Sequence, residues 1–485
     1  MARPNILFLI ADDHRHDAIH GFGDKVVQTP NLDELANAGT SMMNAHIMGS
    51  TSRAVCLPSR AMLLAGVGLF NVFASPDDDR EPYWRDYTRY KIDGRYKLFP
   101  ELLADAGYST YGIGKWHNRP SEYARSFTNG GSIFLGGGFD QAKPTPNTKS
   151  SGLGFSHEAT PVWEFQPTGN YEPDQVARGK SWSSTLFTDT AIGLLRSHSV
   201  DDPFCMYIAF TEPHDPRTPP EEFASMYAHT EIPLPDNFLP QHPFDNGELH
   251  VRDEELAPHP RTADDIRQHI ADYYGMISKL DSEIGRLMQA LQDLNLVDNT
   301  IVVYVADHGL ALGQHGLLGK QNLYSHSVRV PMILRGPGIP SGKRHDALCY
   351  LHDMYATLLD YAEVDIPAQS DSISLLPVLN GEVSDHRETI FSAYQMDLLV
   401  ESDGPYQRMV RDERFKLIEY RVKGSTRYQL FDLINDPLEM HDLASDENYL
   451  NEITGLRRCM AEWQNASNDP VTAINGSHNA GHGEY

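Results

Sequence analysis

Two adjacent pairs of side chains, Asp12-Asp13 and Asp307-His308, offer the oxygen and imidazole ligands that hold a divalent cation. Either pair alone would pass for a solvated turn, because neighbouring residues on an extended backbone point to opposite sides unless the chain bends. Two pairs, each at the end of an apolar strand-like run, shift that balance. Ligation mostly by carboxylates favours a hard ion such as Ca²⁺, and the imidazole leaves Mn²⁺ open. Cys56, followed by Arg60, is a further candidate: a thiol near a guanidinium is either a nucleophile of lowered pKa or a small buried residue. Lys115, His117 and His214 add ionisable groups that also follow strand-like runs.

Groups so far apart in sequence meet only if the fold gathers them. Short apolar strands alternate with amphipathic helices, which predicts a large, mostly parallel mixed sheet flanked by helices. Residues 6–10 form a near-continuous apolar strand, and 29–31 cap a helix carrying Leu32, Leu35 and Ala36 that stops at Gly39. Leu98, Leu102, Leu103 and Ala106 make a helical stripe, after which the strand 108–114 delivers Lys115, Trp116 and His117. Helical spacing from Ile266 to Leu291 leads into the strand 300–306 and so to Asp307. In open parallel sheets ligands collect at the carboxyl ends of strands, so one sheet edge could hold all these groups. Residues 71–96 and 119–180, rich in Gly, Pro, Ser and charge, predict long loops over that edge. From residue 381 the pattern changes to strands at 407–410, 415–420 and 428–433 and a helix at 450–464, then a surface tail from 465. The expected division is therefore a catalytic α/β domain over 1–380 and a small antiparallel sheet plus helix subdomain over 381–485.

Composition narrows the function classes. A length of 485 residues allows a large buried core, and a net charge of −27 argues against a protein that tracks nucleic-acid phosphates. The four cysteines are widely spaced, with no C-x-x-C pair, so neither a disulfide framework nor a cysteine zinc site is expected. Cys205, inside an apolar run, reads as an inert buried thiol. The start reads as a strand, which implies a cytoplasmic protein or a periplasmic or secreted one that has lost its leader. No apolar run approaches the roughly 20 residues needed to span a membrane.

Cys56-Leu57-Pro58-Ser59-Arg60 resembles the C-x-P-x-R signature of type I, formylglycine-dependent sulfatases, in the alkaline phosphatase-like superfamily. Similar blocks follow the family's order: Pro4-Asn5-Ile6-Leu7 leading to Asp12-Asp13, Thr29-Pro30-Asn31-Leu32-Asp33, Gly112-Ile113-Gly114-Lys115-Trp116-His117 and Pro213-His214. Ala306-Asp307-His308-Gly309, His315-Gly316-Leu317-Leu318-Gly319-Lys320, Ser327-Val328-Arg329-Val330-Pro331 and, near the end, Tyr428 to Leu433 with Asn435-Asp436-Pro437 complete the set. The resemblance spans roughly residues 4–445, with 71–96 and 119–180 outside it.

What the resemblance implies is a sulfuric ester hydrolase acting through Cys56, oxidised by a formylglycine-generating maturase. Asp12, Asp13, Asp307 and His308 match its metal positions, with Cys56 beside the ion. Arg60 would orient the formylglycine hydrate, and Lys115 and Lys320 would contact sulfate oxygens. His214 would protonate the departing alcohol, and His117 would deprotonate the remaining hydroxyl so that sulfate leaves and the aldehyde returns. His315 and Trp116 default to packing. The expected substrate is a sulfated carbohydrate, on the strength of Tyr83, Trp84, Arg85, Tyr87, Arg89 and Tyr90 in the first long loop. Many family members carry Asn where His308 stands, and histidine also occurs there in relatives that hydrolyse phosphonate or phosphate diesters. A phosphonate monoester or phosphodiester hydrolase is therefore the runner-up, and a binding protein with unmodified Cys56 is a third class.

Overall fold

The computed structural model describes residues 3–74, 90–136, 156–169, 171, 175–199, 202–396 and 404–471. Its strands, in chain order, are β1 (Asn5–Asp12), β2 (Thr40–His46), β3 (Gly49–Ser50), β4 (Ser109–Lys115), β5 (Asn129–Phe134), β6 (Pro161–Val162), β7 (Ala177–Arg178) and β8 (Phe204–Pro213). They continue with β9 (Thr300–Ala306), β10 (Met332–Arg335), β11 (Lys343–Tyr350), β12 (Ile390–Gln395), β13 (Tyr406–Arg411), β14 (Phe415–Val422) and β15 (Ser425–Asp432). The apolar runs of β1, β8 and β9 are buried along their whole length, as strands covered on both faces must be.

The main sheet has eight strands in the order β11-β2-β10-β9-β1-β8-β4-β5. Every neighbouring pair is parallel except the two made by β10. Two groups of helices flank it. Pro30–Asn37, Ser183–Ser197 and the long Ala263–Asp293 pack together, as do Cys56–Ala65, Phe99–Asp105 and Asp353–Tyr361. The mixed α/β class expected from the apolar periodicity is the one found.

A five-stranded sheet, β15-β14-β13-β12-β3, holds the C-terminal strands, with Ile453, Leu456 and Met460 of helix Leu450–Ala466 packed on Val410, Leu417 and Leu430. Its edge strand β3 comes from the N-terminal half and pairs in parallel with β12. Two expectations need correction. The stretch 119–180 is not loop throughout: it contains helix Pro120–Ser126 and β5, the outer strand of the main sheet. Gly130, within that stretch, marks a close approach, since a Cβ there would strike the Tyr123 hydroxyl and the Gly112 carbonyl. Nor is the chain after 465 simply a surface tail, because Asp469 is buried and takes Arg408 Nε and Nη2 at 2.6 and 2.8 Å.

Candidate active site

Because β1, β4, β8 and β9 run parallel, their carboxyl ends open on one edge and deliver Asp12-Asp13, Lys115, His214 and Asp307-His308 to a common place. The alternation that should separate Asp12 from Asp13 is broken in two ways. The β1–β8 register shifts between Ile10 and Asp12, and Asp13 adopts φ +69°. His117, two residues past β4, is likewise left-handed at φ +61°. Such backbone costs of order 1 kcal/mol or more at each non-glycine residue and persists where the surroundings enforce it. Gly114 lets β4 close on β8 just before Lys115, since a Cβ there would collide with the Ala209 carbonyl.

Cys56 opens helix Cys56–Ala65, with its Sγ 3.2 Å from His117 Nδ1 and 3.6 Å from Lys115 Nζ. Lys115 also pairs with Asp12 Oδ2, and Lys320 Nζ lies 2.8 Å from Asp13 Oδ1. His308 Nε2 stands 3.0 Å from Asp13 Oδ1, 3.6 Å from Asp307 Oδ1 and 3.9 Å from Asp12 Oδ1. Arg60 spends its hydrogen bonds on Asp307 Oδ2 and the Lys115 carbonyl, both at 2.8 Å, so it fixes a ligand candidate and the end of β4. His214 Nδ1 lies 2.7 Å from the Asp215 carbonyl, leaving Nε2 turned toward Asp13 Oδ2 at 3.9 Å.

Ligand atoms of Asp12, Cys56, Asp307 and His308 fall within 4.8 Å of one another, as do those of Asp12, Asp13 and His214. Asp12 Oδ1 and His308 Nε2 are buried with no hydrogen-bond partner. A buried carboxylate oxygen and imidazole nitrogen left without donors are costly unless a cation takes them, so this donor set fits a divalent ion. The charges are strongly coupled. Burial pushes the Asp307 carboxyl up, but His308, Arg60 and the two lysines outweigh it and hold it below the usual range. Burial disfavours charge on His308, yet Asp307 and Asp13 bring its proton affinity above the ordinary value. The Cys56 thiol is raised by burial and lowered further than that by Lys115 and Lys320. Burial, and after it Lys115 for His117 and Lys320 for His214, holds the proton affinity of both imidazoles well below the ordinary value.

A cleft of about 660 Å³ opens onto Cys56, His117, His214 and Lys320. Its walls carry Arg53, Glu248, His250, Arg252, Gln321 and Lys423, none of which the sequence reading singled out. Adjacency to Lys320 was the one available signal, and it pointed to Gln321. Asp215, next to His214, pairs with Arg252, which also pairs with Asp253. Of the aromatic and basic cluster expected to bind sugar, residues 83–89 lie outside the described residues. Tyr90 is buried and donates to the Thr51 carbonyl at 3.0 Å. His315 stacks on Tyr324 with centroids 4.0 Å apart, and buried Trp116 donates to the Arg119 carbonyl, so both pack as expected. Cys205 is fully buried and its thiol is pushed up by burial alone. No helix among the described residues is long and apolar enough to cross a membrane.

The family model "Sulfatase" matches residues 4–364, and "N-sulphoglucosamine sulphohydrolase, C-terminal" matches 313–466. An N-acetylglucosamine-6-O-sulfatase of Bacteroides thetaiotaomicron is 26% identical over 536 residues, covering 96% of this chain and 88% of that protein. A structure solved with its substrate D-glucosamine-2-N,6-O-disulfate superposes with a TM-score of 0.75 at 24% identity, over 96% of this chain and 99% of that one. The phosphonate monoester hydrolase of Agrobacterium radiobacter shares the fold with a TM-score of 0.72 at 20% identity, over 96% of both chains.

Proposed function

The chain belongs to the sulfatase family and is a sulfuric ester hydrolase, and from that premise we infer that it removes sulfate from a sulfated carbohydrate through Cys56 converted to formylglycine. The observation that carries this reading is Cys56 lining a cleft with charged side chains in its walls, its Sγ within reach of both the His117 ring and the Lys115 ammonium. The relative that acts on N-acetylglucosamine 6-O-sulfate, matched over nearly the whole chain, supports a sugar as the alcohol.

Asp12, Asp13, Asp307 and His308 would hold Ca²⁺, with Mn²⁺ the alternative, and the ion would supply charge neutralisation at the sulfate oxygens. Formylglycine would supply a nucleophilic oxygen whose carbon can afterwards release the sulfate without attack by water. The remaining work falls to the chain's own side chains. Lys115 and Lys320 bind sulfate oxygens, and Arg60 keeps Asp307 ionised and aimed. His117, whose Nδ1 faces position 56, takes the proton there. His214 meets the leaving oxygen with Nε2; burial and Lys320 hold its proton affinity well below the ordinary value, and an anionic ester bound beside it favours the protonated form that the leaving oxygen needs. Cys56, Pro58 and Arg60 are all buried in the folded helix, so a formylglycine-generating maturase acts before this segment folds. We further read 1–380 as the catalytic unit and 381–485 as the subdomain that lends Pro405, Val422 and Lys423 to the cleft.

His308 favours a second reading, hydrolysis of a phosphonate monoester or phosphodiester by the same nucleophile. Rates on defined sulfated saccharides and on a phosphodiester analogue, measured in parallel, decide between them: a large preference for the phosphodiester overturns the sulfate ester reading. Mass spectrometry of the 54–60 peptide after expression with the maturase tests the nucleophile, and thiol alone would remove it. Chelation followed by metal return tests the ion, with Ca²⁺ expected to restore turnover and restoration by Mn²⁺ alone excluding it.

A further inference from the structure

A second cavity, of about 450 Å³, shares no lining residue with the catalytic cleft. The segment that carries Asp307, His308 and Lys320 to the catalytic edge contributes Ser325, His326 and Arg329 to this one. Its acids are already engaged. Asp17 takes Arg15 Nε and Nη2 at 2.7 and 2.6 Å. Asp24 takes the Val26 and Val27 amides and the Tyr274 hydroxyl. Glu439 takes the Ser325 amide at 2.8 Å and pairs with Lys416 at 2.6 Å. Asp236 stands exposed at the rim.

Arg329 is what this leaves over. Its guanidinium lines the cavity with no hydrogen bond or ion pair to any described residue, and burial works against its charge. Arg411 is also without an acid, its guanidinium bonded to His46 Nε2 and Asn44 Oδ1. Burial, with Arg329 adding to it, brings Arg411 down to about 10, and burial with both arginines brings Lys416 down to about 8. Three crowded cations thus share Glu439, and Asp17, another acid facing Arg329, is already held by Arg15, an arrangement that costs folding free energy unless an anion completes it. Leu234, Ile270 and Leu312 supply apolar wall.

We propose that this cavity is a second, non-catalytic site for an anionic saccharide unit, its sulfate or carboxylate group on Arg329 and its ring against the apolar wall. One guanidinium without a hydrogen bond and an apolar wall, in a cavity of about 450 Å³, suit a charged sugar ring better than a bare ion, which would leave that wall and most of the volume unfilled. The proposal rests on the carbohydrate reading only for the kind of anion; the demand for negative charge comes from Arg329 itself.

The test is calorimetric titration of the full chain carrying Cys56→Ala, which cannot turn over, so that its outcome is separate from any failure of the substrate assignment. The probes are N-acetylglucosamine 6-sulfate, glucuronate, unsulfated N-acetylglucosamine and inorganic sulfate. At least one of the two anionic sugars is expected to show a binding event that Arg329→Gln weakens about tenfold or more. Leu438→Trp, at an exposed rim position and so tolerated by the fold, is expected to abolish the same event by blocking the mouth. Which anionic sugar responds distinguishes sulfate from carboxylate. Isotherms unchanged by both substitutions, or no event with either sugar, overturn the proposal. Equal affinity for inorganic sulfate overturns its saccharide part.

Discussion

Asp12 and Asp353 are equally buried, with no solvent exposure, and they could hardly be used more differently. Asp353, at the start of helix Asp353–Tyr361, accepts the Tyr350 and Ile373 amides, His386 Nε2 and Arg387 through both Nε and Nη2. Both of its oxygens are filled by neighbours, and a carboxylate so surrounded holds elements together. Asp12 pairs with Lys115 through one oxygen and turns the other, without a donor, toward Cys56, Asp307 and His308. Burial of a carboxylate does not distinguish structure from chemistry; the oxygen left open does.

The comparison breaks first at the catalytic edge. Cys56→Ala should reduce turnover by about 10⁴-fold or more, since groups acting as one unit are lost together. It should cost only about 1 kcal/mol of stability, because a small buried group is removed. An active alanine variant, in a turnover assay free of contaminating enzyme, would mean that the Cys56 cluster is structural like that of Asp353. Next comes His214→Gln, expected to lower kcat by about 10² to 10⁴ on sugar sulfates and much less on an aryl sulfate, whose leaving group needs no proton. Equal losses on both esters would remove His214 from the role of acid.

The part of this edge that was legible in the sequence consists of residues that follow strands. Apolar runs mark β1, β4, β8 and β9, and a parallel sheet places what comes after each on one side, so Asp12, Lys115, His214 and Asp307 could be gathered without coordinates. Whether Asp12 and Asp13 face the same way was not legible, because it depends on a left-handed Asp13 that no periodicity encodes. The cleft wall around Glu248, His250 and Arg252 was missed for the same kind of reason: it comes from turns leading into the short 3-10 helix Arg252–Leu256, with neither period nor motif. β5 was missed because glycines that permit close strand contact look like loop glycines. Asp353 gave no sign either, since its partner Arg387 is remote in sequence and only the fold brings it near.

Asp353→Asn sharpens the other half of the comparison. Removing the charge while keeping the shape leaves the half-buried Arg387 against a neutral amide, which should cost about 2 kcal/mol of unfolding free energy. Denaturant titration should show that loss while kcat and KM stay at wild-type values. A fall in kcat with unchanged stability would make Asp353 part of the catalytic machinery.

The smallest effect expected is the acid dependence of that same difference. Burial alone would raise the Asp353 carboxyl, but Arg387 and His386 overcome it and hold it well below the usual carboxylate range. A carboxyl lowered in the folded chain favours folding above its unfolded value of about 3.9, and that contribution is lost as pH falls through the folded value. Wild type should therefore lose stability faster than Asp353→Asn below about pH 4, and the two curves should converge by a kcal/mol or so as acid is added. Taking the difference between the variants cancels the other carboxylates that titrate in the same window. A difference that stays constant from pH 7 to pH 3 would mean that Asp353 is held by hydrogen-bond geometry rather than by its charge, and the contrast with Asp12 would then rest on partner count alone.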